Sequence, residues 1–328
     1  MTDINSGRRT FIAGASLAAV ATGAAKAQQQ PPAEAPPAPQ AADYPSPPFP
    51  EQRQPWPGLA SRMTPRPDHG ETSYRGSGRL LGKRALITGG DSGLGRAAAI
   101  AYAREGADVA INHLEAEQSD ADEVLALIRA EGRKAVSIPG DLREERFCRR
   151  LVETAARELG GLDILVNNAA RQQTKPTIGD ISSEDFDATF KTNVYAPFWL
   201  TKAAVERMQP GAVIVNTSSV QAGDPSEDLV DYAMTRAAVL NFTKSMAKQL
   251  AGKGIRVNAI APGPFWTPLQ VSGGATPEKL RSFGAESPMG RPGQPAEIAG
   301  AFVAAADPAL SYSTGQVFGA TGGEGQPG

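Results

Sequence analysis

The stretch that decides the fold is Arg84-Ala85-Leu86-Ile87-Thr88-Gly89-Gly90-Asp91-Ser92-Gly93-Leu94-Gly95. Residues 85–88 form a short apolar run that ends on a β-branched threonine and is bounded by glycines, which reads as a buried strand. The alanine-rich residues 97–103 read as a helix. Glycines therefore sit at a strand-to-helix turn, where they permit a tight bend and the close approach of a phosphate. The new helix offers that phosphate free N–H groups and the positive end of its dipole. Glycine turns also join strands to helices where no ligand binds, so the remainder of the chain has to decide. Gly90-Asp91-Ser92-Gly93 also spells the nucleophile loop of trypsin-like proteases. That chemistry needs a histidine base in an all-β fold, and this chain has only His69 and His113.

Working outward, the 328 residues are 41% hydrophobic and 21% charged with a net charge of −2, ample for a sizeable core and lacking the basic excess of a nucleic-acid binder. One cysteine, Cys148, excludes an intramolecular disulfide and a cysteine metal cluster. No apolar stretch is long enough to span a bilayer.

The N-terminus carries Arg8-Arg9-Thr10-Phe11-Ile12, an uncharged apolar stretch to Ala25, and then the small-x-small pattern Ala25-Lys26-Ala27. This is the order of an export signal, and Ser6 to Ile12 resembles the twin-arginine type. Residues 1–27 are thus expected to be a signal peptide that engages the twin-arginine export machinery and sends the protein to the periplasm. An alanine-rich tail on a cytoplasmic protein is the alternative. Residues 28–75, rich in Pro, Ala and Gln, read as a linker that cannot fold alone. Within it, Pro55-Trp56-Pro57 either packs against the body or stays solvated. The folded domain is expected over residues 76–328.

From Lys83 onward strands and helices alternate. Strands are expected over 84–88, 108–112, 134–138, 163–166, 212–216, 255–261 and 316–319. Helices are expected over 94–105, 119–130, 143–159, 183–208 with a bend at Pro197, and 229–250. This alternation, with right-handed crossovers, gives an α/β fold built on a doubly wound, Rossmann-type parallel sheet, whose ligands bind at the carboxyl ends of the strands.

The candidate residues fall at those ends or on helices that reach over the same rim. Asp141-Leu142 follows the third strand, Asn167-Asn168-Ala169-Ala170 the fourth and Ser218-Ser219 the fifth. Pro262-Gly263-Pro264 with Thr267 follows the sixth, and Asn193 and Tyr232 lie on helices. Together with Thr88, Gly89, Gly93 and Gly95, this series resembles the short-chain dehydrogenase/reductase family over residues 83–323. It is most similar to a bacterial branch with the Gly-Gly-Asp-Ser-Gly loop and Gly263-Pro264-Phe265-Trp266-Thr267-Pro268.

The resemblance implies roles. Thr88, Gly89, Ser92, Gly93, Leu94 and Gly95 form the cofactor loop, with the glycines on the pyrophosphate. Asp141 and Leu142 hold the adenine, and Asn167, Ala169, Pro262 and Gly263 line the cofactor. Thr267 bonds the nicotinamide carboxamide. Tyr232 is the acid/base, Ser219 bonds the substrate oxygen, and Asn193 holds a water in the proton path. Elsewhere such residues also cap, bridge or pack.

The family places a lysine one helical turn after the tyrosine, where this chain has Arg236. Residues four apart share a helix face, so its cation is expected beside the phenol and the cofactor ribose. Arginine is planar and does not give up its proton, which implies a slower enzyme or, alternatively, a dinucleotide-binding sensor or scaffold. No carboxylate follows the second strand until Glu115, which tilts the expected cofactor from NAD toward NADP. Phe265, Trp266, Leu269, Phe283 and Met289 make the covering segment, residues 264–292, fairly apolar, or pack beneath it. They suggest a small to medium alcohol, aldehyde or ketone. The family's usual use of the helices near 184–208 and 229–250 implies a homotetramer.

Overall fold

The computed structural model describes residues 44–325. The expected signal peptide and residues 28–43 lie outside the described residues. Seven strands, β1 (Arg84–Thr88), β2 (Asp108–His113), β3 (Ala135–Pro139), β4 (Ile164–Asn167), β5 (Val213–Thr217), β6 (Arg256–Pro262) and β7 (Val317–Ala320), form one sheet in the order β3-β2-β1-β4-β5-β6-β7. Every pair is parallel. The order reverses between β1 and β4, which pair through Ala85 and Ile164. A crevice opens beyond their carboxyl ends, where such sheets bind ligands.

Helices cover both faces: α1 (Gly93–Arg104), α2 (Gln118–Ala130), α3 (Glu145–Leu159), α4 (Ser183–Phe190), α5 (Ala196–Val205), α6 (Val230–Leu250), α7 (Pro277–Arg281) and α8 (Pro295–Ala306). The period-two alternation of a strand divides the core. Ala85 and Ile87 face one layer with α1, α2 and α8. Leu86 faces the other, with α3, α5 and α6. Helix α8 is absent from the sequence reading. Pro295 starts it, Glu297 closes a capping box onto the Gln294 backbone, and Ile298 and Phe302 are fully buried.

The helix expected over 183–208 is interrupted sooner than Pro197. A π-helical turn, Lys191–Tyr195, separates α4 from α5. Pro197 has no N–H to offer the carbonyl of Asn193 four residues earlier, so the ladder opens one turn ahead of it.

The linker reading is corrected from Tyr44 onward. Phe49, Leu59 and Met63 are buried, each burial being worth about 1.5–3 kcal/mol. Phe49 stacks on Trp266 at 4.2 Å, and the Trp266 indole N–H donates to the Pro65 carbonyl at 2.8 Å. Arg104 of α1 donates to the carbonyls of Gly70, Glu71 and Tyr74. Glu71 pairs with His69 and with the buried Arg96, both at 3.0 Å. Burial alone would raise the Glu71 carboxyl, but hydrogen bonding to His69 and the charges of His69 and Arg96 hold it down at about 2. Composition correctly says that this stretch has too little apolar surface to fold by itself. What it has is spent on a groove that the body provides.

Candidate active site

At the carboxyl edge of the sheet a cleft of about 430 Å³ runs from the glycine loop, past the ends of β3, β4 and β5, to the segment after β6. That volume is in the range of ligand sites. Gly89 and Gly93 adopt left-handed backbone, with φ of 60° and 52°. Ser92, at the N-cap of α1, makes no side-chain cap, so the first N–H groups of that helix stay open to an anion. Gly89, Ser92, Gly93 and Leu94 line the cleft. Gly95 lies behind it: a Cβ there would sit 2.0 Å from the Gly89 carbonyl oxygen, so glycine serves helix-to-strand packing.

Thr88 is likewise a strut, not a wall. Its Oγ1 accepts from the backbone N–H of Asn168 at 2.9 Å and of Ala169 at 3.1 Å. The family resemblance puts Asn167 on the cofactor, yet Asn167 is buried against Asn216 at 2.8 Å. Asn168 lines the cleft and donates to the carbonyls of Thr88 and Gly89. Side chains alternate along β4 and just past its end, so moving one residue exchanges one face of the sheet for the other. Ala169, Leu142 and Asp141 line the cleft. Burial would raise the Asp141 carboxyl, but hydrogen bonds from Arg143, including one at 2.9 Å, hold it low and fix its orientation.

At the other end Ser219, Tyr232 and Arg236 face the same cavity, together with Pro262, Gly263 and Thr267. Ser219 Oγ accepts from the Gln221 N–H at 3.2 Å, which leaves its own O–H available to donate. Ser218 is committed: its hydroxyl donates to the Arg236 carbonyl at 3.0 Å and pins α6 to the end of β5. The Arg236 guanidinium lies 4.6 Å from the centroid of the Tyr232 ring and donates to the Thr217 carbonyl at 2.8 Å. Its Nε is buried without a partner.

Asn193 is not among the residues that line the cleft, and its side chain bridges backbone groups. It spans the Arg171 backbone, accepting at 2.8 Å and donating at 2.9 Å, and donates to Thr235 at 3.0 Å. Thr235 in turn donates to the Tyr232 carbonyl at 2.6 Å. Asn193 thus steadies the turn that carries the tyrosine.

Two carboxylates in the cleft escaped the sequence reading. Asp91 of the glycine loop is buried with Oδ2 unpaired, and Glu117 lies one turn beyond β2, whereas Glu115 is exposed. Burial first, and then the charge of Asp120, raise Asp91 to about 7; burial first, and then the charges of Asp91 and Asp120, raise Glu117 to about 8. The apolar cover is also thinner than expected. Trp266 packs beneath the segment and Met289 is exposed, leaving Phe265, Leu269 and Phe283 on the cleft beside polar Gln172, Gln221 and the Lys279–Asp228 pair.

Residues 89–324 match the family model described as enoyl-(acyl carrier protein) reductase. The chain is 55% identical over 276 residues to the uncharacterized oxidoreductase YghA of Escherichia coli (strain K12), covering 84% of this chain and 94% of that one. It is 41% identical over 273 residues to the NADPH-dependent aldehyde reductase 1, chloroplastic, of Arabidopsis thaliana, covering 81% and 94%. Among solved structures, a short chain dehydrogenase from Burkholderia cenocepacia J2315 in complex with NADP superposes with a TM-score of 0.69 at 34% identity, covering 75% of this chain and 98% of that one. With the parallel sheet, the open helix terminus and the cleft between them, these likenesses make the chain a member of the short-chain dehydrogenase/reductase family of oxidoreductases.

Proposed function

We propose that this protein is an NAD(P)-dependent oxidoreductase acting on a small to medium alcohol, aldehyde or ketone, with Tyr232 as acid/base. The observation that carries this reading is that Ser219, Tyr232 and Arg236 share one cleft with an uncapped helix terminus and two left-handed glycines. A bound nicotinamide supplies or takes up the hydride. Gly89, Gly93 and the first turn of α1 would hold its pyrophosphate, Asp141 and Leu142 the adenine, and Thr267 the carboxamide. Tyr232 gives its proton to the substrate oxygen in the reducing direction and recovers it in the other. Ser219 donates to the same oxygen as charge develops there, and Arg236 brings its fixed positive charge to the phenol. A panel of carbonyls and alcohols with both cofactors, followed by nicotinamide absorbance, tests this. Turnover with none of them would favour a dinucleotide sensor or scaffold.

For the cofactor we favour NADP, as in the Burkholderia structure and the Arabidopsis reductase name. The absence of a carboxylate beside the second strand no longer supports that choice, since Asp91 and Glu117 line the cleft. Their raised pKa values do: a neutral carboxyl does not repel a ribose 2′-phosphate and donates to it. Both lose their protons as pH rises past about 7 and about 8. The preference for NADPH over NADH, measured as a ratio of dissociation constants, is therefore expected to fall severalfold from neutral to alkaline pH. A preference for NADH at neutral pH would refute the assignment.

Tyr195 and Phe198 on and beside α5, and Met234 on α6, are exposed, which supports a homotetramer formed through these helices; the mass in solution checks it. No helix among the described residues is long and apolar enough to cross a membrane. Export by the twin-arginine route to the periplasm is supported by residues 1–27 alone. Sequencing of the mature N-terminus, with a start near Gln28, is its test.

A further inference from the structure

Residues 54–60 cross the mouth of the cleft from bank to bank. On the side of the covering segment, the Gln54 N–H donates to the Val271 carbonyl at 2.9 Å. Gly58 lies so close that a Cβ there would be 3.0 Å from the Pro268 oxygen. On the side of the nucleotide loop, the Ala60 N–H donates to the buried carboxylate of Asp120 in α2 at 2.6 Å. The Gln54 side chain clasps the stretch between them, donating to the Leu59 carbonyl at 3.0 Å and accepting from the Leu59 N–H at 2.8 Å. The clasp holds Trp56, Pro57 and Gly58 at the tip of a small loop, and all three line the cleft.

Phe49 and Trp266 satisfy each other by stacking in the core, whereas Trp56 is 40% exposed at the rim. An indole left open on a loop fastened at both ends gives up apolar burial that a flat partner entering the cleft would restore. The crossing also lies where the two banks converge. Pro268 follows Thr267, and a Cβ on Gly93 would sit 3.3 Å from the Thr267 side chain.

We propose that residues 54–60 are a strap that retains the bound dinucleotide, with Trp56 packing against it. This rests on the reading of the cleft as a dinucleotide site.

The test uses the full-length protein and NADPH itself, with release followed by fluorescence after displacement by excess NADP. Trp56→Ala is expected to speed dissociation about tenfold, equivalent to roughly 1.4 kcal/mol of lost contact. Gln54→Ala, which keeps the indole but opens the clasp, should speed it comparably, and Trp56→Phe should retain most of the retention. Unchanged release in both alanine variants, with melting temperatures like the parent's, would overturn the strap. So would a change confined to the KM of the carbonyl substrate, which would make Trp56 a wall of the substrate pocket. Failure of the parent protein to bind either NADPH or NADH would instead defeat the reading of the cleft itself.

Discussion

Tyr232→Phe is expected to lower kcat by about 10³-fold or more while leaving the dissociation constant for NADPH within about twofold, since a positioned proton donor is commonly worth 10²–10⁴. The substitution removes one hydroxyl and keeps the ring, which is packed in a buried position beneath the Arg236 guanidinium. Its backbone also stays tied, through Thr235, to Asn193 and so to Arg171. Loss of folding is therefore not a competing explanation, and an unchanged melting temperature checks that. Steady-state kinetics beside a fluorescence titration separate the two outcomes. Equal losses in binding and turnover would make Tyr232 a wall of the cofactor site; no loss in either would leave the reaction without its proton donor and sink the proposed mechanism.

How legible this was in the sequence depends on how local each signal is. The sheet was legible because its strands are apolar runs between glycines, and β1 falls on the residues that the pattern gives, Arg84–Thr88. The glycine loop was legible because left-handed backbone at Gly89 and Gly93 demands glycine there. Distinctions that turn on which side of an element a residue faces were not. Asn167 and Asn168 are adjacent and chemically identical, and only their phase at the end of β4 turns one against Asn216 and the other to the cleft. Asn193 belongs not to a continuous helix over 183–208 but to the π-helical turn before Pro197, which the apolar pattern does not reveal. For residues 44–75 composition misleads, because it measures what a segment can bury by itself. It does not see that Phe49 has Trp266 to stack on, or that Glu71 has Arg96. Asp91 and Glu117 were missed for a related reason. Spacing from β2 led to Glu115, the nearer carboxylate along the chain, while the turn after β2 folds Glu117 back onto the cleft.

The substitution at Arg236 bears most directly on how well this enzyme works. A lysine at this place can lend its charge to the phenol and also pass a proton, whereas a guanidinium stays protonated. Arg236 nonetheless makes contacts that a lysine would reproduce only in part: it lies 4.6 Å over the Tyr232 ring and donates to the Thr217 carbonyl at 2.8 Å. Two variants separate charge and contact from proton relay. Arg236→Met removes the cation and leaves a buried carbonyl without its donor, and is expected to cost about 10²-fold in kcat, in line with the roughly 3 kcal/mol that one lost charge-assisted contact can carry. Arg236→Lys keeps the charge and restores a group that can shed a proton, so turnover is expected to rise several-fold, most clearly on the alkaline side of the pH profile. If the lysine variant is instead slower than the parent, with cofactor affinity preserved, the site has adapted to arginine. Stacking of the guanidinium on the tyrosine, not proton relay, would then be what this position contributes.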